Sequence, residues 1–298
     1  MTRPVLRLIA AAFAFCLAVA LPAASGAGPP ERVVSTSPAL TEMVFALGAG
    51  GRLAAVSDYC KWPEEATEKP RTGGLFDTNV ERLMALRPDL VLLTPYHREL
   101  QPRLRNVSIP SETIPAENVS EILAAIEQLG EFFGARERAA SLTADIRGRL
   151  EQLEKAAPPP EDRPRVLLFL GTEESTLSNA MGVGPGTFLD EMLRAAGGRN
   201  LLENARAPYP QLSVEAIIRT PPDVVVFLGG EPWESEEEQA RAERMARQRW
   251  NARLGYVTED FPRFIFLRGG HPQIPGPSFI DYAEWLAGKL SPESPAGS

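Results

Sequence analysis

The sequence predicts an α/β protein of two similar lobes bridged by a single long α-helix. Three observations lead there. Short apolar strands alternate with short helices in both halves of the chain. A long stretch of helical period separates the halves. One helix–turn–strand unit recurs at a fixed offset.

The first lobe spans residues 32–134. Arg32-Val33-Val34-Ser35-Thr36 reads as a strand, and Ser37-Pro38 supplies a cap and a proline at the first helical position. The helix that follows runs from Ala39 to Leu47 and stops at Gly48, and Leu53 to Val56 forms the next strand. A helix from Val80 to Leu86 leads into the strand Leu90 to Leu93. Between Val119 and Phe133, the residues Ile122, Ile126, Leu129 and Phe133 fall on one helical face.

The bridging helix spans residues 135–157. Ala139, Leu142, Ile146, Leu150 and Leu153 step by three or four, with arginines and carboxylates on the other faces. At 1.5 Å per residue it is about 33 Å long, and Pro158-Pro159-Pro160 ends it. The second lobe, residues 163–290, opens on the strand from Arg165 and includes a strand from Phe264 to Leu267. Glu231 to Arg253 starts acidic and ends basic, the pattern of a solvated helix. Residues 291–298 are expected to be a disordered tail.

The internal echo lies in Val80-Glu81 with Pro88-Asp89-Leu90-Val91, and in Val214-Glu215 with Pro222-Asp223-Val224-Val225, 134 residues further on. Each copy has a cap (Asn79 or Ser213), a short helix, Pro-Asp and an apolar strand. Glutamate, proline, aspartate and strand all in register argue for a pseudo-duplication.

Composition then removes whole classes of chemistry. With Lys+Arg 31 against Asp+Glu 39 the chain carries −8, which argues against nucleic acid as a partner. Two cysteines and two histidines leave no disulfide framework, thiolate zinc cluster or multi-histidine site. Arg3, Arg7, the apolar run Leu8 to Leu21 and the small residues Ala23 to Ala27 form a signal peptide over residues 1–27. Phe15 before Cys16 is too bulky for a lipoprotein signal. Without the leader the charge is −10 and Cys60 is the remaining cysteine. The expected product is an exported, acidic, soluble protein.

Several stretches resemble the substrate-binding proteins of ABC importers, in the class whose two lobes are joined by one helix and which handles cobalamin, haem and ferric siderophores. They are Arg32-Val33-Val34-Ser35, Pro38 with Thr41-Glu42, Val56-Ser57-Asp58-Tyr59-Cys60, Asn79-Val80-Glu81 with Pro88-Asp89, and Pro208-Tyr209-Pro210-Gln211-Leu212-Ser213 with Glu215. The Ser-Asp-Tyr and Pro-Tyr-Pro-Gln runs look most like the cobalamin binders. The resemblance implies Rossmann-like lobes, a ligand cleft between them, no catalysis and no resident cofactor. It also implies delivery of a corrinoid to a permease dimer with its ATPase subunits.

A corrinoid is broad, flat and largely apolar with a polar rim, so aromatic walls are the required equipment. By resemblance Tyr59, Phe76 (with Leu75 beside it) and Tyr209 are the wall, and Pro208 and Pro210 hold Tyr209 extended. Tyr59 and Tyr209 also admit a plain packing role. His97 and His271 both follow apolar strands, where open α/β sheets place ligands, and either could ligate a metal or make an ordinary hydrogen bond. At His271 the chain has Gly269-Gly270-His271-Pro272-Gln273 where cobalamin binders carry charged contacts. Glu81 and Glu215 each sit in a first helical turn, a site that suits capping. The resembled family uses matching glutamates to dock on permease arginines.

The alternative within this class is haem or a ferric siderophore, for which Tyr96, Tyr209, His97 and His271 could furnish iron ligands. An exported hydrolase or a scaffold protein is the remote alternative. No nucleophile elbow, Walker loop or dinucleotide fingerprint appears, and Gly182-Val183-Gly184-Pro185-Gly186 is broken by proline.

Overall fold

The computed structural model describes residues 28–291 except 75, 76, 173, 176, 178, 179, 259, 260 and 270. The expected signal peptide, Phe76 and residues 292–298 of the tail lie outside the described residues.

The first lobe is a parallel sheet in the order β2-β1-β3-β4, built from β1 (Val33–Ser35), β2 (Leu53–Val56), β3 (Leu90–Leu93) and β4 (Ser111–Thr113). Alternate residues of one strand feed different cores. Val91 and Leu93 pack beneath α2 (Val80–Leu86) and α3 (Leu100–Asn106), whereas Leu92 joins the core under α1 (Pro38–Ala46) and α4 (Val119–Phe132). A strand buried on both faces must be apolar throughout, which explains the unbroken run Leu90 to Leu93.

The second lobe repeats the plan. Strand β5 (Arg165–Leu170) pairs in parallel with β8 (Val224–Leu228), and β8 with β9 (Arg263–Leu267). Along the other edge of β5, its start pairs with β7 (Arg199–Asn200) and its end with the antiparallel β6 (Met181–Gly182). Helices α6 (Phe188–Ala195) and α9 (Phe279–Leu290) cover one face; α7 (Val214–Arg219) and α8 (Glu236–Leu254) cover the other.

The echo in the sequence extends to individual hydrogen bonds. Asn79 and Ser213 both cap their helices, accepting from the amides of Arg82 and Ala216. Asp89 accepts from the Arg32 amide at 3.0 Å and Asp223 from the Arg165 amide at 2.8 Å. Each aspartate therefore pins the start of the central strand of its own lobe.

Helix α8 is a correction to the solvated reading of Glu231 to Arg253. Ala242, Ala246, Trp250 and Leu254 recur every fourth residue and are buried. Trp250 sits 5.3–5.5 Å edge-on to Phe169, Phe227 and Phe264. Two alanines among many charges hide an apolar stripe that is nevertheless continuous.

The long helix α5 (Arg136–Ala156) lies between the sheets and belongs to both cores. Its first half is tied to the first lobe: the Arg138 guanidinium donates to the Ala46 carbonyl at 2.6 Å, and Arg147 pairs with Glu127 of α4. Further along, Arg149 donates to Asp281 and Glu284 of α9 at 2.6–2.7 Å. One apolar cluster runs from Val33 and Leu40 through Ile146 to Phe188 and Phe279. Such a helix resists bending between the lobes. Solution scattering should therefore give nearly the same radius of gyration with and without bound ligand, and a marked compaction would contradict the spine.

A carboxylate also crosses between the lobes. Glu42 of α1 accepts from the Ser278 amide, at the start of α9, at 2.8 Å. Its Oε2 has no partner, and a Cβ at Gly276 would collide with the carboxylate. Burial, with a smaller push from Asp281, raises the Glu42 carboxyl from 4.5 to about 7. The folded state thus holds this proton more tightly than the unfolded chain. The stabilisation is complete below pH 4.5 and is lost as pH rises through about 7, an effect of the order of 3 kcal/mol. Glu42→Gln keeps an acceptor for Ser278 without the charge. Thermal melts at pH 5 and pH 8 should show the variant gaining on the wild type at the higher pH.

Candidate functional site

The carboxyl ends of the parallel strands of both sheets carry the loops that hold the sequence-predicted residues. In the first lobe the turn after β2 is anchored from beneath. The Cys60 thiol lies 3.2 Å from both Ser57 Oγ and Thr41 Oγ1, and the Arg71 guanidinium donates to the Ser57 and Cys60 carbonyls. Burial pushes that thiol above its ordinary range, which makes it a structural rather than a reactive cysteine. The turn holds Tyr59 out at 63% exposure beside Gly74.

Two residues further on, the same turn meets the second lobe. Lys61 reaches Glu231 at 3.3 Å, an exposed pair worth little energy. The Trp62 ring stacks on His271 with centroids 4.5 Å apart and planes 12° from parallel. His271 is half-buried, its Nε2 lies 3.3 Å from the Tyr282 hydroxyl, and burial lowers its pKa. It forms an interlobe contact beneath Trp62.

The loop after β3 corrects the reading of His97 as a metal ligand. His97 is 3% exposed. Its Nδ1 accepts from the Thr94 amide at 3.2 Å and lies 3.0 Å from Thr94 Oγ1, closing a capping box over the turn Pro95–His97. Its neighbour Tyr96 is the exposed residue, at 56%. Sequence reasoning considered Tyr96 as an iron ligand and overlooked its exposed ring. The signal was available: a ring just past a buried strand, two residues after a capping threonine. Among the described residues no cluster of three or more His, Cys, Asp or Glu side chains could hold a metal.

Tyr96 leads across to the second lobe. Its hydroxyl donates to Glu117 at 3.0 Å, and the Glu117 carbonyl accepts from the Phe188 amide at the start of α6. Tyr209 is half-buried close by. Burial first, then the Glu117 and Tyr96 charges, push its hydroxyl to about 12; burial and Glu117 do the same to Tyr96. The extended Pro208–Pro210 run is held by Gly182 and Gly184, whose amides donate to the Pro210 and Pro208 carbonyls at 2.9 and 2.7 Å. A Cβ on Gly184 would strike the Ala207 carbonyl, so this approach needs glycine.

Glu81 and Glu215 are both exposed in the first turns of α2 and α7. The Ser213 hydroxyl donates to Glu215 at 2.9 Å, and hydrogen bonds at the helix start hold its pKa below the usual range. One turn beyond each lies an exposed apolar residue, Met84 at 49% and Ile218 at 46%, at equivalent places in the repeat. Sequence reasoning missed this pair, although the 134-residue offset aligns them.

Residues 33–254 match the profile of the periplasmic binding protein family. The chain belongs to that family, a class of binding proteins rather than enzymes. This periplasmic binding protein is 29% identical, over 86% of its length and 87% of the relative's, to a vitamin B12-binding protein of Vibrio cholerae. It is 30% identical to one of Pectobacterium atrosepticum over 67% of its length and 72% of the relative's. Among solved structures, a periplasmic haem binding protein of Pseudomonas aeruginosa superposes with a TM-score of 0.74 at 26% identity, covering 90% of this chain and 95% of the other. The periplasmic vitamin B12 binding protein of Vibrio cholerae does so with 0.70 at 25%, covering 89% and 98%. Among the described residues no helix is long and apolar enough to cross a membrane.

Proposed function

We propose that this protein is the monomeric, periplasmic substrate-binding component of an ABC importer, exported by its leader, and that it captures a corrinoid between lobes 32–134 and 163–290. The observation that carries the reading is the aromatic set at the strand carboxyl ends: Tyr59, Trp62 and Tyr96 from one lobe, Tyr209 from the other. By the resemblance, Phe76 is proposed as a further aromatic contact. Tyrosine and tryptophan rings suit a flat ligand with an apolar body and a polar rim. The likeness to curated vitamin B12-binding proteins supports the same choice.

Haem is the second reading, favoured by the Pseudomonas aeruginosa neighbour and by Tyr96 and Tyr209 as candidate iron ligands. Their chemistry weighs against it. A ferric ion would take a phenolate from the protein, and the Tyr96 hydroxyl is already engaged with Glu117 at 3.0 Å. Cobalamin brings its cobalt already ligated and makes no such demand.

Titration calorimetry with cyanocobalamin should show one-to-one binding. Tyr59→Ala and Tyr209→Ala should each weaken it by roughly 1–3 kcal/mol. Unchanged affinity in both would remove these rings from the site. No heat with cyanocobalamin, together with a Soret shift on adding haemin, would move the assignment to haem.

Glu81 with Met84, and Glu215 with Ile218, form the docking surface for a permease dimer, one lobe per subunit. A charge beside an apolar anchor gives registration and contact together. Glu81→Arg with Glu215→Arg should leave corrinoid affinity and melting temperature near wild type while uptake into reconstituted vesicles falls, more than in either single variant. Normal uptake by the double variant would leave the glutamates as helix-start residues only.

A further inference from the structure

In the first lobe lies a cavity of about 320 Å³ that shares Tyr96 with the proposed aromatic wall. It is lined by Thr78, Tyr96, His97, Arg98, Glu99 and Arg103, among others. All its walls come from the segment before α2 and from the loop and helix after β3.

Its electrostatics differ from those of the chain as a whole. The protein carries −8, yet two guanidinium groups here, Arg98 and Arg103, make no ion pair or hydrogen bond among the described residues. Glu99 opposes them with a single charge, leaving the lining at +1. Behind them His97 contributes a donor. Because Nδ1 accepts from the Thr94 amide, the ring proton of the neutral imidazole resides on Nε2, and Nε2 is buried without a partner. The only other titratable groups on the lining are the Tyr96 hydroxyl, already given to Glu117, and Glu99. The polar lining is thus dominated by unpaired donors, and arginine forks suit carboxylate and phosphate oxygens.

We propose that this cavity is an oxyanion subsite, which takes a carboxylate or phosphate-ester arm of the cargo whose ring system lies on the aromatic wall. The inference rests on the proposed ligand class for the identity of the arm, but not for the chemistry of the cavity. A subsite of this kind selects among flat metal chelates by their side arms. It favours a corrinoid with its nucleotide phosphodiester, or a tetrapyrrole with propionates, over one stripped to amides.

The test is a set of titrations on the mature protein and on Arg98→Gln with Arg103→Gln, with Arg105→Gln as a control outside the cavity. Cyanocobalamin carries the phosphodiester, haemin carries carboxylates, and dicyanocobinamide carries neither. Whichever anion-bearing chelate binds the wild type should bind the double variant roughly tenfold or more weakly, with a shallower salt dependence. Dicyanocobinamide affinity and the melting temperature should not move, and the control should match wild type. Equal affinities for the anion-bearing chelate in wild type and double variant, or an equal loss for dicyanocobinamide, would overturn the subsite. If the wild type binds none of the three, the ligand reading fails by itself and inorganic phosphate decides for the cavity. Saturable phosphate binding abolished in the double variant would make it a free-anion site, and no binding would end the proposal.

Discussion

Everything else in this structure depends on the fact that α5 is a wall of two cores at once. Its apolar stripe meets α4 on one side, and α6 and α9 on the other. Two α/β lobes with separate cores would associate through an ordinary, largely polar interface and move freely. Here the apolar cluster is continuous, so sliding one lobe on the other would open dry contacts within it. The polar links at the periphery, from Arg149 to α9 and from Glu42 to Ser278, then set orientation more than they add cohesion.

That rigidity has a chemical benefit for a binding site. In the proposed site, rings anchored from beneath on both lobes would lose little freedom when a flat ligand enters, so less of the affinity they offer would go into ordering. The anchoring beneath each ring fits this purpose. Cys60 and Arg71 hold the turn of Tyr59, His97 holds that of Tyr96, and two glycines hold the run containing Tyr209. His97, whose imidazole looked like a ligand, in fact serves the neighbouring tyrosine as a backbone device.

Much of the fold was legible because the strands are buried on both faces and therefore stand out as apolar runs between proline, glycine and capping residues. The repeat was legible for a similar reason: Asp89 and Asp223 do one local job that few other residues can do. Helix α8 was misjudged because its buried face consists of two alanines, a tryptophan and a leucine among many charges. The short α3 and β4 were missed because three- and seven-residue elements carry too few side chains to display a period. Around the proposed site the loops that follow the strands were legible, but the partners of their side chains were not. That Trp62 covers His271, or that Glu117 joins Tyr96 to the start of α6, involves residues 209 and 71 positions apart, respectively, and depends on tertiary packing.

The shared helix also bears on modularity. Despite their internal likeness, the two halves are not interchangeable parts. A break between Ala157 and Arg163 would leave the first half with α5 still attached and its outer stripe uncovered. The second half would keep α6 and α9 with no partner surface. During synthesis the same asymmetry holds for a time, since α5 emerges well before the helices that cover it. With one helix shared by both halves, the chain is built to fold as a single cooperative unit.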